Sequence, residues 1–232
     1  MKVSFYLWFV FLLQLKLINI NASNSDTIRF AFLTDLHVSP GNVNELKLYD
    51  IVDEINSQNL DFVVVTGDLS NTGSNDELLA VQKALDNLQI PLYIIPGNHE
   101  TNWSESAGMK FNEIWGDDHF DFVFKNNDFI GFNTGPFMKM GDGHVKNEDI
   151  NWLKNRIKQF NTTQNHLFAF SHYPLNDELE NWAEVTQILK QGNCKIVFCG
   201  HGHKLSLFNF DGIPGIMGRA LFMKKDQSFG YQ

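Results

Sequence analysis

Five short polar clusters, each placed after a run of apolar residues, carry potential ligands for two metal ions. They occupy residues 35–37, 67–68, 97–100, 171–174 and 200–203. The candidate ligands in them are carboxylates, imidazoles and one amide, without a thiolate. Mixed oxygen and nitrogen ligands of this kind favour Mn, Fe, Zn, Ni or Co over Ca or Mg alone. We therefore expect two divalent metal ions as cofactors, in a centre suited to cleaving phosphate esters.

Two of the clusters place a pair of ligands two residues apart. Asp35 and His37 form one pair, and His201 and His203 form the other. If the backbone stays extended there, the two side chains of each pair point to the same side and can bind one ion. Gly202, between the two histidines, would let the backbone pass close to the site.

The remaining ligand positions are Asp68, Asn98 and His172. Asp68 follows a glycine at a predicted strand end, where a carboxylate can bridge two cations. Asn98 offers a neutral carbonyl oxygen, and His172 offers another imidazole. Each cluster alone is weak evidence, because short segments of this composition commonly serve as helix caps or turns. Their joint occurrence in order, each just after a predicted strand, favours a metal centre.

Apolar runs alternate with helical periodicity in the segments that must position these clusters. The predicted strands are 28–34, 61–66, 92–96, 166–170, 195–199, 205–210 and 216–223. The predicted helices are 43–57, 75–88, 147–160 and 177–190, and Asn75 should cap the second. Residues 121–125 and 128–133 are typical of an antiparallel hairpin. The order predicts one α/β domain with a parallel sheet, whose carboxyl strand ends would gather the clusters.

Composition restricts the class of partner. The 232 residues suit a single domain, and 18 basic against 27 acidic residues give a formal charge of −9. That balance argues against an extended nucleic-acid-binding face. It allows a small phosphorylated substrate, because bound metals can reverse the local field. Cys194 and Cys199 would be roughly 16 Å apart along one extended strand, which is too far for a disulfide, so we expect free thiols.

The first residues differ from the rest of the chain. Lys2, a following apolar run and a short polar stretch predict a signal peptide over residues 1–22, and hence an exported protein, periplasmic or secreted. An uncleaved N-terminal anchor is the alternative, and this segment would then be the chain's contact with a membrane. Gln14 and Lys16 interrupt the apolar run, which leaves it short for a membrane span.

The motifs Asp-x-His, Gly-Asp, Gly-Asn-His-Glu, His and Gly-His-x-His, in this order over residues 35–203, resemble those of the calcineurin-like metallophosphoesterase superfamily. The resemblance implies two facing mixed β-sheets flanked by helices, a four-layer α/β/β/α sandwich. It implies a phosphoesterase domain over residues 27–232. Family domains usually close with one or two more strands than the sequence predicts here, so truncation at the C-terminus stays open. The implied metal ligands are Asp35, His37, Asp68 and His203 for the first ion, and Asp68 as a bridge, Asn98, His172 and His201 for the second.

The same resemblance implies hydrolysis of phosphate mono- or diesters, by in-line attack of a hydroxide that bridges the two metals. His99 is not a ligand in this scheme and would assist the leaving group as a general acid. Glu100 could orient His99. His144 and Asn102 are candidate substrate contacts. Purple acid phosphatases supply a tyrosine where this chain has Asn71, so their iron–tyrosinate centre is not expected.

The alternative is a metal-dependent binding or scaffold protein that keeps the same fold. The motifs identify metal ligands, and they do not show that a reaction is catalysed. The motifs also leave the substrate and the identity of the metals open. His119 and His166 lie at the starts of predicted strands and are expected to be structural or merely exposed.

Overall fold

The N-terminal half of the domain is built on three short parallel strands. The computed structural model describes residues 27–136, 141–160, 165–223 and 228–229. Strands β1 (Phe30–Leu33), β2 (Phe62–Thr66) and β3 (Leu92–Ile95) pair in that order, and both pairings are parallel. Helices α1 (Val43–Ser57) and α2 (Asn75–Leu85) connect them. This is the predicted strand–helix alternation, and it brings the ends of β1, β2 and β3 to one edge.

Both connecting helices begin at polar caps. The Asn42 side chain accepts a hydrogen bond from the backbone N–H of Glu45 at the start of α1. Helix α2 is capped by Ser74 and not by Asn75 as predicted. Ser74 Oγ accepts from the backbone N–H of Glu77, and the Glu77 carboxylate accepts from the backbone N–H of Ser74. This reciprocal capping box satisfies two N–H groups at once, which explains why Ser74 is the cap and Asn75 is already the first helical residue.

The second half forms a larger mixed sheet with the strand order β4-β5-β6-β7-β9-β8. Its strands are β4 (Phe120–Phe124), β5 (Asn127–Gly131), β6 (His166–Phe170), β7 (Cys194–Cys199), β8 (Ser206–Phe210) and β9 (Ile213–Met217). The β4–β5 and β8–β9 pairs are antiparallel hairpins, whereas β5, β6, β7 and β9 run parallel. Two-residue strands β10 (Phe222–Met223) and β11 (Ser228–Phe229) pair separately.

Three helices accompany this half of the chain: α3 (Met109–Trp115), α4 (Asn147–Phe160) and α5 (Trp182–Gln191). Helix α4 has the predicted bounds. Helix α5 begins at Trp182 and not at residue 177, because residues 177–181 form turns. Helix α3 was not predicted. The last predicted strand, 216–223, is also misplaced, because the chain turns at Asp211 and Gly212, both with positive φ, and β9 already starts at Ile213.

An aromatic layer separates the two sheets. Phe62 from the first sheet packs edge-on against Phe129 from the second, with ring centroids 5.2 Å apart, and Phe32 meets Phe198 at 5.4 Å. Each such pair contributes about 0.5–1.5 kcal/mol beyond the apolar area it buries. Helices α1 and α2 cover the outer side of the first sheet, and α4 and α5 cover the outer side of the second. The predicted fold of two facing sheets flanked by helices is therefore confirmed.

Two further expectations concern thiols and membranes. Cys194 and Cys199 are free, as predicted, and burial raises the pKa of the Cys194 thiol to about 12. The predicted signal peptide, residues 1–22, lies outside the described residues. Among the residues that the structure describes, no helix combines the length and the apolar character needed to cross a bilayer.

Candidate metal centre

The five polar clusters all lie in loops at the carboxyl ends of strands. The loops after β1 and β2 are joined by backbone hydrogen bonds from Asp35 N to Gly67 O and from His37 N to Asp68 O, each 3.0 Å long. The loop after β7 is joined to the first of these by the backbone N–H of His201, which lies 3.1 Å from both carboxylate oxygens of Asp35. The predicted convergence of the clusters is therefore observed.

The backbone in these loops is left-handed at five of the seven predicted ligands. The φ angles are 53° at Asp35, 47° at His37, 49° at Asp68, 71° at His201 and 59° at His203. The expectation that each ligand pair lies on extended backbone is thus wrong. Positive φ is uncommon for residues other than glycine and tends to occur where function requires it. The ligands reach the site from tight turns, which spacing alone cannot reveal.

One group of converging side chains combines Asp35, His37, Asp68 and His203. One potential ligand atom from each lies within 4.8 Å of the others. His37 Nε2 and His203 Nε2 are 2.9 Å apart, and His203 Nε2 is 3.3 Å from Asp35 Oδ1. His37 Nε2 lies 3.9 Å from Asp68 Oδ2. These are the four residues that the resemblance assigned to the first ion.

The second group consists of Asp68, His172 and His201, again with ligand atoms within 4.8 Å of one another. His172 Nε2 lies 3.3 Å from Asp68 Oδ1. Asn98 Oδ1 joins the group, at 3.1 Å from both His172 Nε2 and His201 Nδ1. Asp68 belongs to both groups and is only 2% exposed, so a buried carboxylate stands between two sets of nitrogen and oxygen atoms.

The histidines of this centre differ in how readily they hold a proton. Burial lowers the pKa of His37 to about 4 despite the nearby Asp68 and Asp35 carboxylates, and burial lowers the pKa of His201 to about 4, aided by His172. Both imidazoles are therefore neutral near pH 7 and keep a lone pair for a metal. Burial opposes charging of His172, but the Asp68 and Asp35 carboxylates and the Thr66 carbonyl together outweigh it and raise its pKa to about 9.

The chemistry of the seven side chains fits two metal ions. The donor set is made of imidazole nitrogens, carboxylate oxygens and one amide oxygen, as borderline divalent cations prefer. Burial opposes the charged form of His172, but Asp68, Asp35 and the Thr66 carbonyl raise its pKa, and a cation would take the place of the proton on Nε2. Donor set and charge both fit two divalent cations that share Asp68.

Several supporting contacts fix the ligands in place. His172 Nδ1 donates to the backbone carbonyl of Thr66 at 2.7 Å, which leaves the lone pair of Nε2 for the centre. The Tyr173 ring stacks on His201 with centroids 4.0 Å apart. Glu178 Oε2 lies 3.6 Å from His201 Nε2, on the side away from Asn98. Sequence reasoning named none of these three contacts, since each joins residues whose packing is not visible in a motif.

Two glycines are required by close approach of the loops. Gly67 has a φ of +79°, and a Cβ on it would collide with the backbone of Gly97. A Cβ on Gly97 would in turn collide with the backbone nitrogen and the Oδ1 atom of Asp68, and would come within 3.0 Å of His172 Nε2. The loops after β2 and β3 therefore touch at two glycines directly beside the shared carboxylate. Gly202 faces Met217 instead, so the predicted approach to the site is not its role.

His99 stands beside the centre without belonging to either ligand group. Its Nε2 atom lies 3.8 Å from Asp68 Oδ2, and its ring packs between those of His37 and Trp103, each with a centroid distance of 4.9 Å. Its Nδ1 atom is buried and has no hydrogen-bond partner within the described part of the chain. His99 therefore faces the shared carboxylate with Nε2. The neighbouring rings of His37 and Trp103 hold the imidazole in this orientation. Trp103 itself is 60% exposed.

Glu100 has a different role from the one predicted. It was expected to orient His99, but its Oε1 accepts hydrogen bonds from the backbone N–H and the hydroxyl of Ser70, at 3.0 and 2.7 Å. Its Oε2 accepts from the backbone N–H of Gly97 at 3.0 Å. Burial, and next the Asp68 carboxylate, raise the pKa of Glu100. This side chain is fully buried and clamps the loop after β2 to the loop after β3.

The two candidate substrate contacts lie at different places. Asn102 lines a cavity of about 340 Å³, whose wall also includes Pro96 and Thr101 on either side of the 97–100 motif. His144 is paired with Glu180, with Nδ1 and Oε2 2.9 Å apart. The roles of Asn102 and His144 toward a substrate stay predictions.

Comparisons with known proteins agree with this geometry. The sequence model of a family described as calcineurin-like phosphoesterase matches residues 28–205. A probable cyclic nucleotide phosphodiesterase of Vesicomyosocius okutanii is 27% identical over 195 residues, covering 78% of this chain and 81% of the relative. A probable glycerophosphodiester phosphodiesterase GpdQ of Arcobacter nitrofigilis is 26% identical, covering 68% of this chain but 63% of the relative. A dimetal phosphatase structure from Danio rerio matches with a TM-score of 0.67 at 15% identity, covering 83% of this chain and 87% of that one.

Proposed function

The chain belongs to the calcineurin-like phosphoesterase family, whose members are hydrolases, and we propose that it hydrolyses phosphate mono- or diesters with two divalent cations. One observation carries this proposal. Asp68 is shared by two adjacent groups of ligands that together contain all seven predicted metal-binding side chains. A metal centre that served only structure would not need two sites around one buried carboxylate, with the His99 imidazole beside it.

The side chains divide between the two proposed sites. Asp35, His37, Asp68 and His203 would hold one cation, and Asp68, Asn98, His172 and His201 would hold the other. When bound, two such cations lower the pKa of a water molecule and neutralise charge on the phosphoryl oxygens. The identity of the metals is open among Mn, Fe, Zn, Ni and Co.

The chain's own contribution to the reaction is orientation and proton transfer. His99 Nε2 faces the shared carboxylate, so it is the nitrogen from which a proton would pass to the leaving oxygen. The neighbouring rings of His37 and Trp103 restrict the rotation of His99. Thr66 holds His172 through Nδ1, and Glu100 holds the two loops together, so the geometry is set before a substrate arrives.

Both the substrate class and the location of the protein are part of the proposal. The names of the two curated relatives, a probable cyclic nucleotide phosphodiesterase and a probable glycerophosphodiester phosphodiesterase, support a diester substrate for this chain. The match spans less than two thirds of the second relative, so its substrate does not carry over directly. The apolar segment within residues 1–22 supports export to the periplasm or the cell exterior.

The test of this function is a pair of chromogenic esters assayed with added Mn²⁺, Fe²⁺, Zn²⁺, Ni²⁺ or Co²⁺. We expect turnover of bis(p-nitrophenyl) phosphate that requires metal, together with weaker or comparable turnover of p-nitrophenyl phosphate. Asp68→Asn should abolish activity and lower the metal content. His166→Asn, at an exposed position at the start of β6, serves as the control. Inactivity of the folded wild-type protein with every metal would refute hydrolysis and favour the scaffold function.

The role of His99 is tested with leaving groups of different basicity. His99→Asn should keep the metals, because His99 is in neither ligand group. It should lower kcat by roughly 10²–10⁴-fold for an alkyl ester, whose leaving oxygen needs a proton. The loss should be much smaller for a p-nitrophenyl ester, which leaves as an anion. An equal loss for both esters would exclude His99 as a general acid.

A further inference from the structure

A third group of potential metal ligands lies away from the proposed centre. It consists of Asp118, His119 and Asp149, whose ligand atoms lie within 4.8 Å of one another. Asp118 and His119 directly precede strand β4, and Asp149 lies in the first turn of helix α4. None of the three belongs to the two groups around Asp68. Two carboxylates and an imidazole thus meet where α4 packs against the beginning of an edge strand.

Asp149 is the unusual member of this group. It is 7% exposed, and its Oδ2 atom is buried without a hydrogen-bond partner among the residues that the structure describes. A buried carboxylate oxygen in a native protein almost always has a partner, since removing it from water is costly. Burial, and next the Asp118 carboxylate, raise the pKa of Asp149 to about 6. Lys146 compensates part of this repulsion, while the exposed Glu148 adds to it.

The ordinary explanations account for only part of the arrangement. An acidic residue in the first turn of a helix interacts favourably with the helix dipole, which explains the residue type at Asp149 but not its buried, unpartnered oxygen. His119 Nδ1 lies 3.1 Å from Asp118 Oδ1, and its ring packs on Trp152 with centroids 4.2 Å apart. These contacts orient His119 beside Asp149 without satisfying Asp149 Oδ2.

We propose that Asp118, His119 and Asp149 bind a third divalent cation, which ties the start of β4 to helix α4. Two carboxylates and one imidazole form a mixed oxygen and nitrogen donor set that suits Mn²⁺ or Zn²⁺. The cavity of about 340 Å³ that Asn102 lines is also lined by Asp118 and Lys146, and it gives solvent a route to complete the coordination. This site is structural and is independent of the proposed hydrolytic activity.

The experiment counts bound Mn²⁺ in the full chain by titration, with the free ion measured by EPR near pH 7.5. The wild-type protein should bind one ion more than Asp149→Asn, which keeps the shape of the side chain and removes its charge. Glu148→Gln removes a neighbouring exposed charge and should bind as many ions as the wild type. Both variants should hydrolyse bis(p-nitrophenyl) phosphate at the wild-type rate if the wild type does so.

Two further measurements keep the result decisive. If Asp149→Asn does not fold, His119→Gln is used in the same titration and should also bind one ion fewer than the wild type. An anomalous difference map from Mn²⁺-soaked crystals should show a peak among Asp118, His119 and Asp149. Equal numbers of bound ions in the wild type and in the folded variant, or an empty map at this position, would overturn the proposal. Absence of hydrolysis by the wild-type protein would contradict the proposed function and not this third site, because the titration counts bound ions directly.

Discussion

Gly97→Ala is the sharpest test of how the loops create the metal centre. An added Cβ would collide with the backbone nitrogen of Asp68 and with its Oδ1 atom, and would approach His172 Nε2 to 3.0 Å. Because one of these atoms is backbone, no side-chain rotation relieves the contact. The Gly97 backbone is itself held by Glu100, which accepts a hydrogen bond from its N–H at 3.0 Å. The strain must therefore move the loop or the shared carboxylate.

The size of the effect follows from this overpacking. Extra methyl groups in a tightly packed site cost about 1–3 kcal/mol. For a domain of this size, 1 kcal/mol lowers Tm by about 2–4 °C, so we expect a fall of roughly 2–12 °C in the metal-free protein. Displacement of Asp68 should also weaken both proposed sites, because this carboxylate belongs to both ligand groups. Differential scanning fluorimetry in EDTA measures the first effect, and metal analysis after dialysis against a fixed metal concentration measures the second.

The matched control is Gly141→Ala. A Cβ at Gly141 would have no atom within 4 Å among the described residues apart from its chain neighbours, so the same chemical change should leave Tm and metal content unaltered. If Gly97→Ala kept both the wild-type Tm and the wild-type metal content, the close contact between the two loops would not be a feature of the protein in solution. The argument that Gly97 is required by Asp68 would then fail.

Three other perturbations have defined outcomes. Glu100→Gln places an amide N–H₂ against donors of Ser70 or Gly97 and should cost about 1–3 kcal/mol in urea unfolding of the metal-free protein. Glu54→Gln, at an exposed position of α1, should cost little. Phe170→Ala removes a fully buried ring between the sheets and should lower the free energy of unfolding by about 3–5 kcal/mol, against little change for the exposed Val123→Ala. EDTA should lower the Tm of the metal-loaded protein, because each ion present at 100 times its Kd adds about 2.7 kcal/mol. An unchanged free energy of unfolding in the first two cases, or an unchanged Tm on addition of EDTA in the third, contradicts the corresponding contact or site.

Hydrophobic periodicity was sufficient to predict most of the helices and strands, whereas the two facing sheets were expected from the family resemblance. Helix α1 has the predicted bounds because Leu48, Ile51, Val52 and Ile55 repeat with helical spacing and are all buried. The strands were recognisable as short apolar runs between turn-forming residues. Errors occurred where a local hydrogen bond or turn decided the boundary. Ser74 replaced Asn75 as a cap because Glu77 lies three residues after it, and the turn at Asp211 and Gly212 moved β9 toward the N-terminus.

The candidate metal centre was predictable as a set of converging residues but not as a geometry. Motif order identified the side chains that converge, since the carboxyl ends of neighbouring strands lie at one edge. The partners of Glu100 depend on how two loops approach each other, and no spacing rule contains that information. The group around Asp149 was missed for the same reason. His119 and Asp149 are 30 residues apart, and only the packing of α4 against the start of β4 brings them together.

The left-handed backbone at the ligands indicates what the rest of the fold must supply. A non-glycine residue in this conformation costs about 1–3 kcal/mol unless its surroundings fix it, and five of the seven ligands adopt it. The surroundings here are the Glu100 clamp, the contact between Gly67 and Gly97, and the rigid aromatic layer beneath the strands. Since the same turns aim Asp35, His37, Asp68, His201 and His203 at common points, relaxing the strain would also disperse the ligands. Stability and metal affinity are therefore coupled at these loops, and a substitution that eases one left-handed turn should weaken the centre as it stabilises the chain.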